Sequence, residues 1–135
     1  AIKADVLIDV PIAKHHNLTR LTLAAKNLMG LIEDRSRLHA NLGQRLPDLV
    51  TLFKPKLIVV DAYRTLMANG PTGGSLNDVK LSKTLIASHD IVAADSYATS
   101  LFGLKPDDIA YIKAGAQRGL GTTDLKSIKI EEINL

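Results

Sequence analysis

The chain has 135 residues, of which 46% are hydrophobic and 23% charged, values that suit a single globular domain over residues 1–135. They exclude a disordered chain, and no apolar run reaches the roughly 20 residues that cross a bilayer, so no membrane partner is expected. The net charge of +3 is uneven: residues 14–64 hold nine Lys and Arg against four Asp and Glu, which suits an anionic ligand or, equally, a solvated basic surface.

The N-terminal third is predicted to form a strand, a loop and a helix. The apolar segment Asp5–Val10 is typical of a strand, and residues 11–17 are predicted to be the loop that follows it. Apolar residues then recur at helical spacing, which predicts a helix over Leu18–Met29 that ends at Gly30.

The middle of the chain is predicted to continue with a helical region and two strands. The helical region covers Arg35–Phe53, and Pro47 is expected to restart it because proline fits the first turn of a helix. The continuous apolar run Lys56–Asp61 predicts a strand of the kind that is buried on both faces in a parallel sheet. Lys83–Ser88 is predicted to be a third strand.

The C-terminal third is predicted to hold two helices and an edge strand. Asp90 is placed to cap a helix that runs to Phe102, and Pro106 opens the next one. Ser127–Ile133 alternates apolar and charged residues, a pattern typical of an edge strand. Strands that alternate with helices predict an α/β fold, a layered sandwich with a mostly parallel sheet flanked by helices.

Functional groups are expected where the predicted strands end, because these ends gather at one edge of a parallel sheet. Lys14, His15 and His16 follow the first strand and could bind an anion or move a proton, although a polar surface loop explains them equally well. If Lys14, Lys26 and Arg35 surround the opening of one cleft, an anion is needed to offset the repulsion between their charges. His39 follows Arg35 in the same region.

The glycine-rich segment Asn69–Gly74 is a second candidate. Glycine-rich turns expose backbone N–H groups that can hold phosphate or carboxylate, and a tight structural turn is the alternative. The segment is neither a Walker loop nor a dinucleotide-binding GxGxxG motif.

Asp95 is a third candidate, because it lies on an apolar stripe of its predicted helix. A carboxylate in such a place needs a cation, a metal or hydrogen-bond donors from a loop. We therefore expect Asp95 to be mostly buried and to accept hydrogen bonds from a loop or a lysine.

The sequence from Asp5 to Gly30 resembles the family called domain of unknown function 362, which shows a strand, then Pro-x-x-Lys-x-His, then a Thr-rich helix that ends Lys-Asn-x-x-Gly. The positions that match here are Pro11, Lys14, His16 (or His15), Thr19, Thr22, Lys26, Asn27 and Gly30. The resemblance continues through Arg35, His39, Asp61, Asn69–Pro71, Gly74, Asp90 and Asp95. Some members carry ferredoxin-type iron–sulfur segments, so the resemblance implies redox chemistry with such a segment or partner, as in an oxidoreductase.

Together these observations favour a domain that binds a small anionic ligand bearing phosphate or carboxylate groups. The candidate catalytic residues are His16, His39 and Asp95. The candidate ligand-binding residues are Lys14, Lys26, Asn27, Arg35, Asp61, Asn69, Gly70, Gly73 and Gly74. One alternative is a metal-dependent enzyme with His16, His39, Asp61 and Asp95 as ligands, and another is a non-catalytic interaction module. The sequence does not name a cofactor.

Composition also bears on partners and location. With no cysteine, the chain has no disulfide, no thiolate nucleophile and no iron–sulfur cluster ligands of its own. Five aromatic residues and no Trp make nucleic acid a disfavoured partner, because bases bind by stacking on aromatic rings. A cytoplasmic location is expected. Since the chain lacks an initiator Met, we expect a part of a longer protein, and export stays open.

Overall fold

A computed structural model describes residues 4–134, apart from the side chain of residue 37. In that part of the chain five β-strands and four α-helices form an open sheet with helices packed on it, which confirms the predicted α/β class. The strands are β1 (Ile8–Asp9), β2 (Ile12–His16), β3 (Arg20–Thr22), β4 (Leu57–Leu66) and β5 (Val79–Ser88). The helices are α1 (Ala24–Asn27), α2 (Leu42–Phe53), α3 (Ile91–Ser100) and α4 (Ala110–Gln117).

The sheet is mixed, and β4 pairs along both of its edges. β1 and β2 lie in line along one edge and run parallel to β4, so the predicted parallel arrangement is found here. The break between them falls at Val10 and Pro11, where proline has no N–H to donate. β5 runs antiparallel along the other edge of β4, and β3 pairs antiparallel with β2.

One face of the sheet packs against the helices. Ile58, Val60 and Ala62 of β4 point to this face and are 0% exposed, within the main hydrophobic cluster. On the opposite face Ile12 and Leu85, both paired with Asp61, remain 55% and 69% exposed. The expectation that β4 is buried on both faces therefore holds for one face only.

The predicted helix Leu18–Met29 is wrong in its N-terminal half. Arg20–Thr22 is strand β3, which forms a hairpin with β2, and residues 12–16 are a strand rather than the predicted loop. Arg20 has a φ of +65°, which a right-handed helix does not allow. The α-helix begins only at Ala24 and continues as a 3-10 helix over Leu28–Leu31.

Other boundaries also differ from the prediction. The strand predicted to end at Asp61 continues to Leu66, which places Asp61 in the middle of β4. Pro47 lies inside α2, which begins at Leu42 after a 3-10 helix over residues 36–41, so it does not restart the helix. The predicted edge strand Ser127–Ile133 is also wrong, because residues 128–134 form no strand. They lie instead beside β5, across a groove of about 340 Å³.

Of the two C-terminal helices, α3 begins after Asp90 as predicted, whereas α4 begins at Ala110 rather than at Pro106. The Asp90 carboxylate accepts the Ala93 N–H at 2.8 Å and so caps α3, while its other oxygen accepts the Thr122 N–H at 3.0 Å. Pro106 opens a 3-10 turn that leads into α4. Across residues 4–134, none of the helices has the length and apolar character needed to span a membrane.

Candidate functional site

The β2–β3 hairpin brings several of the predicted site residues together. Lys14 and Thr22 are cross-strand partners, as are His16 and Arg20. Partners of this kind lie side by side on the same face of a sheet. Lys26 follows Thr22 along the chain, in the short helix α1.

The cations of this region lie within electrostatic range of one another. Burial, and then the charges of Lys14 and Arg35, lower the pKa of Lys26. The pKa of His16 is lowered from its ordinary 6.5 to about 4, mainly by burial and then by the charges of Lys26 and Lys14. His15 and His39 add to the effect. Among the residues that the structure describes, no carboxylate forms an ion pair with Lys14, Lys26 or Arg35. The positive charge of this cluster is therefore not neutralised by those residues.

The Thr22 hydroxyl is also left without a partner. Thr22 is 9% exposed, and its Oγ1 makes no hydrogen bond within the described part of the chain. Most buried hydroxyl groups are hydrogen-bonded, and an unsatisfied one costs about 1–3 kcal/mol. Because Lys14 is its cross-strand partner, an unsatisfied hydroxyl and an unpaired ammonium lie next to each other. Both groups could donate to the same acceptor.

Each of the three histidines in this region uses Nδ1 in a hydrogen bond. His15 Nδ1 accepts the Gly70 N–H at 3.1 Å, and His16 Nδ1 accepts the Leu18 N–H at 3.1 Å. His39 is exposed, and its Nδ1 lies 2.8 Å from the Arg35 carbonyl oxygen, to which it can only donate. These bonds fix the orientation of the three rings.

The Asn69–Gly74 loop lies at the same end of the sheet as Lys14, because Lys14 is paired with Leu66. A Cβ on Gly70 would collide with the His15 carbonyl oxygen, so only glycine fits against β2. The Gly70 N–H is used by His15, and the Asn69 amide donates to Asp78 at 3.0 Å. Gly70 thus fixes the loop against β2, and Asn69 ties it to Asp78 at the end of the loop. The roles of Asn69, Gly70, Gly73 and Gly74 in anion binding stay predictions.

Asp95 is buried as expected, with 1% exposure. Its two oxygens accept the backbone N–H groups of Ala24 at 2.8 Å and Ala25 at 3.0 Å, so the donors are the first turn of α1 rather than a lysine. Burial raises the pKa of Asp95 to about 7, although the two hydrogen bonds oppose the shift. The observed contacts make Asp95 a positioning residue for α1, and its catalytic role stays a prediction.

Asp9, which the sequence analysis did not select, lies at the end of β1 and is 5% exposed. Its Oδ1 accepts a hydrogen bond from the Asn27 amide at 2.7 Å, and its Oδ2 has no partner in the described residues. Burial raises the pKa of Asp9, and its charge contributes to the raised pKa of Asp95. An acidic residue at the end of an apolar strand, two residues before Pro11, was the available signal. The Asn27 amide is therefore engaged within the fold.

The four residues of the metal-site alternative are not brought together. Asp61 lies in the middle of β4 and accepts the Tyr63 N–H at 2.9 Å, and Asp95 holds α1. Within residues 4–134 as described, no group of three or more His, Asp or Glu side chains is arranged to hold a metal ion. The arrangement does not support the metal-dependent alternative.

A pocket of about 220 Å³ lies beside the turn of the hairpin, lined by Thr19, His39, Asn41 and Tyr111, among other residues. It provides space for a small molecule next to His39. Neither this pocket nor the larger groove beside β5 is lined by Lys14, Lys26 or Arg35.

Comparison with known proteins places this chain in a family. The chain is 29% identical over 132 residues to a thylakoid-associated protein of Synechocystis sp., in an alignment that covers 91% of this chain and 40% of the relative. The chain thus spans about two fifths of the length of that relative. No solved structure matches the chain. Residues 1–100 match the model of the domain of unknown function 362, and because this is well over half of the sequence, the chain belongs to that family.

Proposed function

We propose that this domain binds a small anionic ligand, bearing phosphate or carboxylate groups, at a cation cluster formed by Lys14, Lys26 and Arg35. The observation that supports this most strongly is the combination of cations without carboxylate partners and the buried Thr22 hydroxyl without a hydrogen bond. Each of these features is unfavourable alone, and one anion would satisfy both.

The electrostatics favour the same proposal. Lys26 is half-buried, and its pKa is lowered by burial and by the charges of Lys14 and Arg35. Repulsion between like charges is stronger in a partly buried place than in water, and salt screens it less. A bound anion would offset this repulsion, so binding should also stabilise the fold.

The rest of the site serves as a scaffold for the cluster. Asp95 holds the first turn of α1, which carries Lys26, and Asp9 binds Asn27 in the same helix. Gly70 fixes the ring of His15, the neighbour of Lys14 in β2.

The family resemblance also implies a redox role, which we include in the proposal. The chain has no cysteine, so an electron carrier would have to be a ferredoxin-type segment or partner outside this sequence. The cytoplasmic location expected from the sequence stays a prediction.

The test is the melting temperature in sulfate, pyrophosphate and acetate, each compared with chloride at matched ionic strength. Specific binding raises the melting temperature by mass action, with a gain of about 2.7 kcal/mol at a concentration 100 times the Kd. The gain should shrink in Lys14→Met and Lys26→Met, which keep most of the side-chain volume and remove the charge. Lys113→Met, at an exposed position of α4, is the matched control. Equal shifts in all salts would reject the proposal and favour an interaction module.

A further inference from the structure

The hydrogen bond of His16 determines which of its ring nitrogens carries the proton. Leu18 N–H donates to Nδ1 at 3.1 Å, so Nδ1 presents its lone pair. A neutral imidazole has one N–H, and here it must be on Nε2. Among the described residues nothing accepts a hydrogen bond from Nε2 of His16. His16 therefore offers an unused N–H donor at the end of β2.

The groups around His16 are donors as well. Lys14 and Lys26 carry three N–H donors each and no acceptor, and the Thr22 hydroxyl is free to donate. A carboxylate has one charge and two oxygens in a plane. A tetrahedral oxyanion with two charges presents more oxygens, in different directions, to donors that come from two strands and a helix.

His39 has the opposite arrangement. Its Nδ1 donates to the Arg35 carbonyl oxygen at 2.8 Å, so the neutral ring presents a lone pair on Nε2. A lone pair repels an anion, and neutral His39 is therefore not one of the anion donors. The two candidate catalytic histidines are thus chemically distinct, although the sequence does not distinguish them.

We infer that the ligand of the cation cluster is a tetrahedral dianion of the phosphate-monoester or sulfate type, and that neutral His16 binds it through Nε2–H together with Lys14, Lys26 and Thr22. This inference rests on the proposed function and specifies its ligand class. His16 is a binding group in this assignment, whereas His39 is left to accept a hydrogen bond from a part of the ligand other than its oxyanion.

The pH dependence of binding separates this assignment from one in which His16 binds as a cation. The groups that influence His16 are Lys26 of α1, Lys14 and His15 of β2, and His39, and all of them disfavour its protonation. With a pKa of about 4, His16 is neutral at ordinary pH.

The experiment is calorimetric titration of the protein with sulfate, methyl phosphate and acetate, from about pH 5.5 to about pH 8. Sulfate is a dianion throughout and His16 stays neutral over this range, so the titration of His16 should contribute nothing to the pH dependence of sulfate affinity. A dependence that comes from another group, such as Asp95 with its pKa of about 7, should be the same in His16→Asn. The affinity for methyl phosphate should rise with pH as the ligand loses its second proton, which for phosphate monoesters has a pKa of about 6. Acetate should bind at least about tenfold more weakly, because it forms fewer charge-assisted hydrogen bonds.

A variant tests the role of Nε2. His16→Asn keeps an acceptor for the Leu18 N–H and removes Nε2–H, so it should lose about tenfold in sulfate affinity. His89→Asn is the matched control, because His89 is exposed and follows Ser88, which pairs with Ile58 at the other end of β4 from Lys14. The ring nitrogen chemical shifts of the unmodified protein should show the Nε2–H form of His16, a measurement that does not depend on the folding of a variant.

Several outcomes would overturn the inference. They are acetate binding as tightly as sulfate, a fall in sulfate affinity with rising pH that His16→Asn abolishes, equal effects of the two Asn variants, or an Nδ1–H form of His16. In the first of these cases the proposed function stands and only the ligand class fails. If none of the three anions binds, the proposed function fails together with the inference.

Discussion

Asp95 holds the first turn of α1 across 71 residues of sequence, since its Oδ1 accepts the Ala24 N–H at 2.8 Å. Its Oδ2 accepts the Ala25 N–H at 3.0 Å. α1 is only four residues long, and an isolated helix of that length has no stability in water. The buried carboxylate therefore determines where Lys26 lies, although it does not line the cation cluster itself.

Asp95→Asn tests this relationship. One oxygen becomes an amide NH₂ that faces a backbone N–H, so a hydrogen bond is replaced by two opposed donors in a buried place. We expect the free energy of unfolding to fall by about 1–3 kcal/mol, measured by urea denaturation, and sulfate affinity to fall with it. Asp5→Asn, at an exposed position, is the matched control. Unchanged stability in Asp95→Asn would show that the carboxylate does not hold α1.

The pH dependence of stability should show two opposed contributions. Asp95 has its pKa raised from 3.8 to about 7, so its contribution is complete below the unfolded pKa and is lost as the pH rises through the folded one. Asp9, with its pKa also raised, acts in the same direction. His16 has its pKa lowered from 6.5 to about 4, so its contribution is complete above 6.5 and is lost as the pH falls through the folded pKa.

Between these pKa values the contributions of Asp95 and His16 largely cancel, and single substitutions should reveal them. Compared with the unmodified chain, in which Asp9 also contributes, the stability of His16→Asn should fall as the pH rises from about 4.5 to about 6.5, and that of Asp95→Asn should rise, each by at most about 1.4 kcal/mol per pH unit. Urea denaturation at several pH values measures both slopes. Parallel profiles for the two variants and the unmodified chain would contradict the assignment of these pKa shifts.

For residues 18–29, the sequence predicts which residues are buried better than it predicts the secondary structure. Leu21, Ala24, Ala25 and Leu28 follow helical spacing, and all four are buried. Yet Leu21 belongs to β3, because the spacing of a short apolar set does not distinguish a helix from a strand that leads into one. The sharp turn at Arg20, with its positive φ, gives no clear signal in a residue of this type.

The site was only partly predictable for a similar reason. Candidate cations can be read from local patterns, at a predicted strand end for Lys14 and in helical segments for Lys26 and Arg35, and the three are found within electrostatic range of one another. The partners of Asp95 and the Asp9–Asn27 pair depend on contacts between distant segments, which a single sequence does not reveal. The tautomers of His16 and His39 depend on individual hydrogen bonds and are likewise visible only in the structure.

Gly70→Ala should disrupt the contact between the glycine-rich loop and β2. The added Cβ would collide with the backbone carbonyl of His15, and a backbone cannot move away as a flexible side chain can. We expect a loss of about 2–3 kcal/mol in the free energy of unfolding, as for other overpacked positions. Gly30→Ala is the control, because a Cβ there meets nothing within 4 Å. Equal stability of the two variants would mean that the loop is not fixed against His15.

Lys26→Met should change stability and binding in opposite directions. Without a ligand, the half-buried ammonium is repelled by Lys14 and Arg35 and lacks a carboxylate partner, so its replacement by a side chain of similar length should relieve repulsion. We expect the free energy of unfolding to rise by about 0.5–1 kcal/mol in chloride, whereas the stabilisation by sulfate should shrink. Lys113→Met, which is exposed on α4, should change neither quantity. A Lys26→Met variant that is less stable in chloride would show that the ammonium is already satisfied within the fold. The cation cluster would then have no need of an anion.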